Sequence, residues 1–249
     1  MQGITALNVK MKNKFLRHIA LLILGIIGLE GMAQDNDRIL NRPYADNKPV
    51  HFGFSVGTHV QDLQFTHNGY VSEKGETWYM EVPDFSPGFN VTVLADYRLG
   101  KYFNLRLSPG MFFGNKVVKM MDTTNGVTSS QNIKTNFVVL PLDLKISSER
   151  YYNIRPYALV GGMMTFDVSK KRSEQLMLKT SDFMLSVGFG CDIYLPFFKL
   201  CPELKFCFGL TDMLQHKRPD LSDDPETMKY TNSLKKVTQQ MVVLSFYFE

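Results

Sequence analysis

Two pairs of residues, Ser55 with His59 and Asp62 with His67, have the side-chain types needed for hydrolytic catalysis. In such pairs a nucleophile and a general base must lie within hydrogen-bonding distance. Ser55 and His59 lie four residues apart in an alternating segment, and on one extended strand that spacing separates them by ~13 Å. Asp62 and His67 lie in a polar connection where no further residue marks a site. We therefore predict that these residues fill space or face solvent, and that the protein is not an enzyme.

No metal or cofactor site is expected from the sequence. Cys191, Cys201 and Cys207 are an odd number of cysteines without Cys-x-x-Cys or Cys/His spacing, which argues against a disulfide framework or a zinc site. Four acidic residues gather near the end of the chain, namely Asp220, Asp223, Asp224 and Glu226. Their spacing lacks the pattern of a calcium-binding EF-hand loop, so we predict no metal ligands among them.

The charge balance excludes one class of partner. The formal net charge is only +4, and part of it comes from the amino-terminal segment, so nothing indicates nucleic-acid binding. Two basic runs, residues 170–172 and residues 217–218, fall in connections between predicted strands. Such runs either face solvent or bind lipopolysaccharide phosphates, and the sequence leaves both interpretations open.

Apolar and polar residues alternate over eight segments, which is the period of strands with one apolar face. The predicted strands are His51–Val60, Phe89–Arg98, Phe103–Phe113, Val138–Ile146, Arg155–Phe166, Phe183–Ile193, Leu200–Leu210 and Met241–Glu249. In the fifth strand, the face of Tyr157, Leu159 and Met163 is predicted to point outward. The last strand carries Val242, Leu244, Phe246 and Phe248 on one face, and we predict that it pairs with His51–Val60 and closes the sheet.

The connections alternate between short and long. Short links surround Gly100, residues 147–154 and residues 196–198, whereas the other connections are long and polar. The pair Asn125-Gly126 lies in one long connection and favours a hairpin turn there, so the flanking strands are expected to extend as a β-ribbon. The pattern predicts an all-β, eight-stranded antiparallel transmembrane β-barrel with short periplasmic turns, long extracellular loops and both termini in the periplasm.

A soluble, lipocalin-like barrel with its apolar face inward is the alternative. An eight-stranded barrel is only wide enough to be filled by its own side chains or to hold one small ligand. Four or five bulky residues from each strand would overfill that interior, whereas the face rich in glycine, serine and aspartate fits it. The sequence therefore favours the membrane barrel.

Two further patterns follow from this topology. Aromatic residues gather at the short-link end and predict an interfacial girdle of Tyr97, Tyr102, Tyr151, Tyr152, Tyr157, Tyr194, Phe197, Phe198 and Tyr247. Charged residues on the polar face gather at the same end and predict an ion-pair layer in the lumen. Its predicted members are Asp96, Arg98, Arg106, Asp143, Lys145, Arg155, Asp192, Glu203 and Lys205.

The amino terminus has the features of a cleaved secretory signal peptide, residues 1–33. A basic segment precedes an uncharged apolar run, and the small residues of Gly31-Met32-Ala33 suit cleavage after Ala33. The apolar run is shorter than the ~20 residues of a membrane helix, which argues against an uncleaved anchor. Met11 is an alternative start. We expect a flexible periplasmic lead-in at residues 34–50 and the barrel at residues 51–249.

Five segments resemble the PorT family of outer-membrane β-barrel proteins of Bacteroidetes. They are Lys48-Pro-Val-His-Phe-Gly-Phe-Ser-Val-Gly, Phe85-Ser-Pro-Gly-Phe-Asn-Val, Asn104-Leu-Arg-Leu-Ser-Pro-Gly-Met, Leu140-Pro-Leu-Asp-Leu-Lys and Arg155-Pro-Tyr-Ala-Leu-Val-Gly-Gly. The resemblance covers essentially the whole chain after the signal peptide, in matching order. It supplies no catalytic or cofactor-binding residues.

The resemblance implies a component of the type IX secretion system, which exports proteins with a C-terminal sorting domain, such as gingipain-type cysteine proteases and adhesins. The implied partners are outer-membrane lipids and other secretion components, with cargo contacted at most indirectly. The terminal strand is also implied to be the recognition signal for the barrel-assembly machinery. The alternative function is an OmpA/OmpX-like structural or adhesion barrel that binds external ligands through its loops.

Overall fold

A computed structural model of the protein describes residues 39–72, 75–82, 86–122, 126, 128–169, 176–215 and 225–249. Several predicted features lie outside these residues. They are the signal peptide 1–33, Asn125, the basic runs 170–172 and 217–218, the residues Asp220, Asp223 and Asp224, and the side chain of Glu226.

The described residues form ten antiparallel strands and two short helices. The strands are β1 (Val50–His67), β2 (Trp78–Glu81), β3 (Pro87–Arg98), β4 (Phe103–Leu107), β5 (Gly110–Asp122), β6 (Thr128–Ser147), β7 (Ile154–Asp167), β8 (Ser181–Tyr194), β9 (Lys199–Gly209) and β10 (Leu234–Phe248). A 3₁₀ helix, Ala45–Asn47, precedes β1, and the helix α1, Pro225–Asn232, precedes β10. In the described part of the chain, no helix is long and apolar enough to cross a membrane.

The sheet closes on itself because β1 pairs with both β10 and β3. The β1–β10 ladder joins Phe54 to Phe248 and continues in register through Gln61 and Met241. The remaining neighbours follow in chain order, from β6 through β10. The apolar carboxyl-terminal strand thus has a partner along both sides, as the alternation of its residues predicts.

The number of strands is ten rather than the predicted eight. The predicted third strand is divided at Ser108-Pro109, because proline has no N–H to donate to the ladder. Its two parts, β4 and β5, follow each other between the same neighbours, β3 and β6. The other additional strand, β2, lies in the first long connection and pairs with the far end of β5.

Several strands extend beyond the length that a bilayer requires. A tilted transmembrane strand needs about 9–11 residues, whereas β1 has 18, β6 has 20 and β10 has 15. The β5–β6 ladder reaches Met121 and Thr128, so these two strands form the ribbon that the Asn125-Gly126 pair predicts. Gly126 has a φ of +70°, the left-handed conformation that such turns require.

The outer surface of the ring is apolar and the interior is mixed. The side chains that the alternation places outward on β1, β3, β6, β8 and β10 are mostly exposed, as Phe54, Val93, Leu142, Phe189 and Leu244 illustrate. This arrangement is the one predicted for a membrane barrel, and it is the reverse of a lipocalin-like interior.

The predicted orientation of β7 is wrong. Tyr157, Leu159 and Met163 are buried inside the ring, while Val160 and Met164 are exposed on its surface. The physical reason lies on the neighbouring strand, where Gly190 and Gly188 pair with Tyr157 and Leu159. A Cβ atom at Gly190 would lie 2.4 Å from the Tyr157 hydroxyl oxygen, so the glycines provide the space that the two large side chains occupy.

The aromatic girdle is also smaller than predicted. Tyr157, Tyr194 and Tyr247 are at most 5% exposed and point inward. The other predicted girdle residues are exposed near the short links, and they are Tyr97, Tyr102, Tyr151, Tyr152, Phe197 and Phe198. Tyr157 donates a hydrogen bond to Glu203, Tyr194 donates one to Asp46 at the mouth of the ring, and Tyr247 packs beside Arg106, which explains why these side chains point inward.

Apolar side chains fill two levels of the interior and form a cap at the long-link end. One level contains Phe112, Phe137, Val139, Met163, Met184, Cys207, Met241 and Val243, and the second contains Leu94, Tyr157, Leu159, Cys201 and Tyr247. The apolar cap consists of Leu63, Trp78, Met80, Val118, Met120, Ile133, Leu176, Met213, Leu214, Tyr230, Leu234 and Val237. The long connections are therefore folded over the end of the ring.

Candidate functional site

The interior at the short-link end holds an ion-pair layer. Its members from the predicted set of nine are Asp96, Arg106, Asp143, Lys145, Asp192, Glu203 and Lys205. Each is at most 5% exposed. The strands β3, β4, β6, β8 and β9 supply them, because alternate residues of a strand point to the same face.

Arg106 is the centre of the layer. Its Nη1 lies 2.8 Å from Glu203 Oε2, and its Nη2 lies 3.0 Å from Asp96 Oδ2 and 3.3 Å from Glu249 Oε1. The guanidinium carbon also lies 5.3 Å from the centre of the Tyr157 ring and 5.1 Å from that of Tyr247. One planar cation therefore connects three strands through carboxylates and packs near two aromatic rings.

Two lysines complete the connections across the ring. Lys145 Nζ lies 2.8 Å from Asp192 Oδ2 and 4.0 Å from the centre of the Tyr157 ring. Lys205 Nζ lies 2.6 Å from Asp143 Oδ2 and 3.4 Å from Glu203 Oε1. Because each buried charge has an opposite partner, the layer avoids the cost of an isolated ion in a low-dielectric interior.

Sequence reasoning missed two members of this layer. Lys199 forms ion pairs with Glu249 and, at 3.9 Å, with Asp192. Extending the period of two by one residue would have found both, since Lys199 shares the inner face of Cys201 and Glu203, and Glu249 follows the inward Tyr247. Among the described residues, the layer contains four cations and five side-chain carboxylates.

The other two predicted members, Arg98 and Arg155, lie at the mouth of the ring rather than in the layer. Arg98 Nη1 donates to the Asp46 carbonyl oxygen at 2.7 Å. Arg155 donates to the carbonyl oxygens of Ser148 and Lys101 at 2.9 and 2.8 Å. Both are only partly buried, because the short links leave room for solvent beside them.

The described part of the lead-in contacts this mouth. Tyr194 Oη donates to the Asp46 carboxylate at 2.7 Å, and Arg42 Nη1 donates to the Glu249 carbonyl oxygen at 3.0 Å. Arg150 donates to the carbonyl oxygens of Asn41 and Arg42. The prediction of a flexible lead-in did not include these contacts, which join residues far apart in sequence.

The structure does not assemble the candidate catalytic pairs. Ser55 Oγ lies 2.7 Å from Thr92 Oγ1, and the buried His59 ring packs against Phe112 with ring centres 4.8 Å apart. His67 Nε2 accepts a hydrogen bond from the Met80 amide at 2.9 Å and so fixes β2. Within the described ranges, neither histidine is hydrogen-bonded to a nucleophile.

One group of potential metal ligands occurs among the described residues. The ligand atoms of Asp192, Cys201 and Glu249 lie within 4.8 Å of one another. Lys145 and Lys199 already provide positive charge to the two carboxylates. We therefore assign this group to the ion-pair layer.

An electrostatic contact also fastens the apolar cap. Lys229 of α1 lies 2.6 Å from Glu76 Oε2, and the Trp78 indole N–H donates to the same oxygen at 2.9 Å. The hydrogen bonds from Lys229 and then Trp78 lower the pKa of the Glu76 carboxyl. The Trp78 and Tyr230 rings pack edge to face with centres 4.8 Å apart, so α1 is held to β2 by charge and by apolar contact.

Very little empty space remains inside the ring at its short-link end. A cavity between the ion-pair layer and the apolar level above it measures about 10 Å³, and one at the short-link mouth measures about 10 Å³. A cavity needs roughly 10–15 Å³ to hold a single water molecule. This part of the lumen is thus packed and does not form a passage for a polypeptide.

Two solved bacterial proteins are similar to this chain at low sequence identity. The N-terminal β-barrel domain of Pseudomonas aeruginosa OprF is 13% identical, with 78% of this chain and 97% of that chain covered and a TM-score of 0.34. Ail, the attachment invasion locus protein of Yersinia pestis, is 12% identical, with 79% and 96% covered and a TM-score of 0.33. No curated protein matches the chain.

The chain also matches a known protein family over most of its length. Residues 32–215 match the family described as outer membrane protein beta-barrel domain, which is well over half of the 249 residues. The chain therefore belongs to the outer membrane protein β-barrel domain family, and it is a protein of the outer membrane.

Proposed function

We propose that this protein is a non-enzymatic accessory component of the type IX secretion system and not its export conduit. The single observation that carries the proposal is the packed lumen. Arg106 bridges Asp96, Glu203 and Glu249 across the interior, where no wide channel exists in the described residues. A barrel filled in this way acts through its two ends, and the resemblance to the PorT family supplies the secretion role.

In this proposal eight strands cross the membrane. The number is eight because β4 and β5 together make one membrane-spanning strand, and because β2 lies outside the ring. The short links then lie in the periplasm together with both termini, and the long links and the apolar cap lie outside the cell. Residues 1–33 serve as the signal peptide, 34–50 as the periplasmic lead-in and 51–249 as the barrel.

The periplasmic end offers the surface on which other secretion components would dock. Phe197 is 92% exposed and Tyr151 is 71% exposed, both in short links at this end. The lead-in contacts the same mouth through Arg42 and Asp46. Aromatic residues are enriched at the centres of protein–protein interfaces, which supports docking in the periplasm rather than transport through the ring.

Deletion of the gene tests the secretion role. We expect surface delivery of proteins with a C-terminal sorting domain to be lost while their synthesis continues. Unchanged delivery in the deletion strain would exclude the role. Complementation with Phe197→Ser, compared with Lys235→Ser at the exposed start of β10 near the long-link end, then tests whether the periplasmic end carries the contact, since only the former should fail to restore delivery.

A structural or adhesion barrel is the second candidate, and the apolar cap is the observation that favours it. A folded cap with α1 fixed by Lys229 and Trp78 provides a defined surface at the end that this proposal places outside the cell. Loss of such a protein would alter adhesion or envelope integrity and leave sorting-domain export intact. The same deletion strain therefore separates the two functions.

A further inference from the structure

A cavity of about 420 Å³ lies at the long-link end of the ring, apart from the ion-pair layer. Its walls come from β5, β6, the end of β7 and β10, and from residues 169, 176–178 and 213 of the long connections. Small-molecule sites commonly occupy about 300–1,000 Å³. This cavity therefore has the size of a ligand site, unlike the two small cavities at the short-link end of the lumen.

A buried lysine on the cavity wall has no ion-pair partner among the residues that the structure describes. Lys116 is only 2% exposed, and within the described ranges no carboxylate lies within 4.0 Å of its ammonium. The acidic groups that act on it from farther away are Asp62 and Asp167. A buried charge without a partner is unfavourable, so its presence beside a cavity indicates that an anion completes it.

Two more polar side chains converge on the same space. Gln239 is 1% exposed and Thr135 is 2% exposed, and both line the cavity. Gln239 Nε2 and Thr135 Oγ1 have no hydrogen-bond partner among the described protein groups. An ammonium, an amide N–H and a hydroxyl together match the acceptors of one carboxylate.

The other wall residues restrict the ligand further. Ile133 and Met213 of the apolar cap and Phe137 of the apolar level below it also line the cavity, which suits a hydrocarbon or aromatic body. Asp167 also lines the cavity, and its carboxylate would repel a second negative charge. A monoanion with an apolar body fits this set better than a phosphate or another polyanion.

We propose that the cavity beside Lys116 binds a small organic monocarboxylate with an apolar body. Lys116 pairs with the carboxylate, Gln239 and Thr135 donate hydrogen bonds to it, and the body contacts Phe137 and Met213. This site is independent of the secretion role, because it lies at the opposite end from the lumen layer and the short-link surface.

Calorimetric titration of the full-length barrel in lipid nanodiscs tests the site, with empty nanodiscs subtracted. The probe is 4-phenylbutyrate, and its uncharged counterpart is 4-phenyl-1-butanol. We expect the carboxylate to bind at least about tenfold more tightly than the alcohol, since a charged hydrogen bond is lost with the alcohol. Equal binding of the two probes, or no binding of the carboxylate, would overturn the proposal.

Lys116→Met and Lys119→Met form a matched pair on β5. Lys119 is not a lining residue and should leave the affinity unchanged, whereas Lys116→Met should weaken carboxylate binding by about tenfold or more and spare the alcohol. Heat-modifiable gel mobility checks that both variants fold, and Thr135→Val gives a milder loss if Lys116→Met does not fold. Unchanged carboxylate affinity in folded Lys116→Met would refute the site. If Lys116→Met does not fold, unchanged affinity in Thr135→Val would refute it.

Discussion

Replacing Arg106 with methionine tests whether the ion-pair layer stabilises the barrel. Methionine retains much of the side-chain volume and removes the charge. Glu203 still has Lys205 at 3.4 Å, and Glu249 still has Lys199, so both carboxylates keep a cation. Among the described residues, Asp96 keeps the hydrogen bond from Asn104 at 2.5 Å, while Lys145 and Lys199 act on it only from farther away.

The expected loss of folding free energy follows from the number of partners that each carboxylate keeps. Removing one member of a buried ion pair destabilises a protein by about 3–5 kcal/mol, because the remaining charge is left buried without compensation. Asp96 is the carboxylate most affected by Arg106→Met. Adding Asp96→Asn to that variant removes the uncompensated charge and should restore about 1 kcal/mol or more, although each single substitution destabilises.

Urea unfolding of the protein in lipid vesicles measures these free energies. The single tryptophan, Trp78, is buried in the apolar cap and reports unfolding by its fluorescence. Lys101→Met is the control, since Lys101 pairs with Glu149 on the surface and its loss should change stability little. The reasoning fails if Arg106→Met behaves like the control, or if the double variant is less stable than Arg106→Met alone.

Three other outcomes are expected. Leu204→Arg places a charge on the outer face and should cost about 2–4 kcal/mol near the bilayer midplane; a silent Leu204→Arg beside a damaging Lys205→Leu would invert the face assignment. Gly190→Ala should destabilise by about 1–3 kcal/mol, because its Cβ would lie 2.4 Å from a buried tyrosine hydroxyl, while Gly100→Ala, with open space around it, should not; equal urea midpoints would contradict this. Because the pKa of Glu76 is lowered in the folded protein, its carboxylate stabilises the fold at pH values above the ordinary glutamate pKa, and this stabilisation is lost as the pH falls through the folded-state pKa. Glu76→Gln should therefore remove the acid-dependent change in tryptophan fluorescence. If that change persists in the variant, this carboxyl is not its cause.

The outward apolar face and the closing strand could be predicted from the sequence. Phe54, Val93 and Leu244 each stand in a clear alternation, and strand geometry converts that local pattern into one lipid-facing surface. The same rule placed Asp96 and Arg106 on the inner face. Both predictions depend only on neighbouring residues of one strand.

The side of β7 could not be predicted in this way, because both of its faces are apolar. Tyr157 and Leu159 point inward only because Gly190 and Gly188 leave space on the adjacent strand. Likewise, Ser108-Pro109 was read as a continuation of one strand, yet the missing proline N–H divides it.

Sequence alone therefore determined the class of fold, the lipid-facing surface and most of the charges that enter the lumen, since these follow from a period of two along each strand. Only the tertiary structure decided which charges pair, that Lys199 and Glu249 join them, and that Lys116 has no ion-pair partner in the described part of the chain. Those relations depend on side chains that meet across the closed ring from distant parts of the chain. Closure of the ring brings these side chains together, and the alternation along a single strand does not show which of them meet.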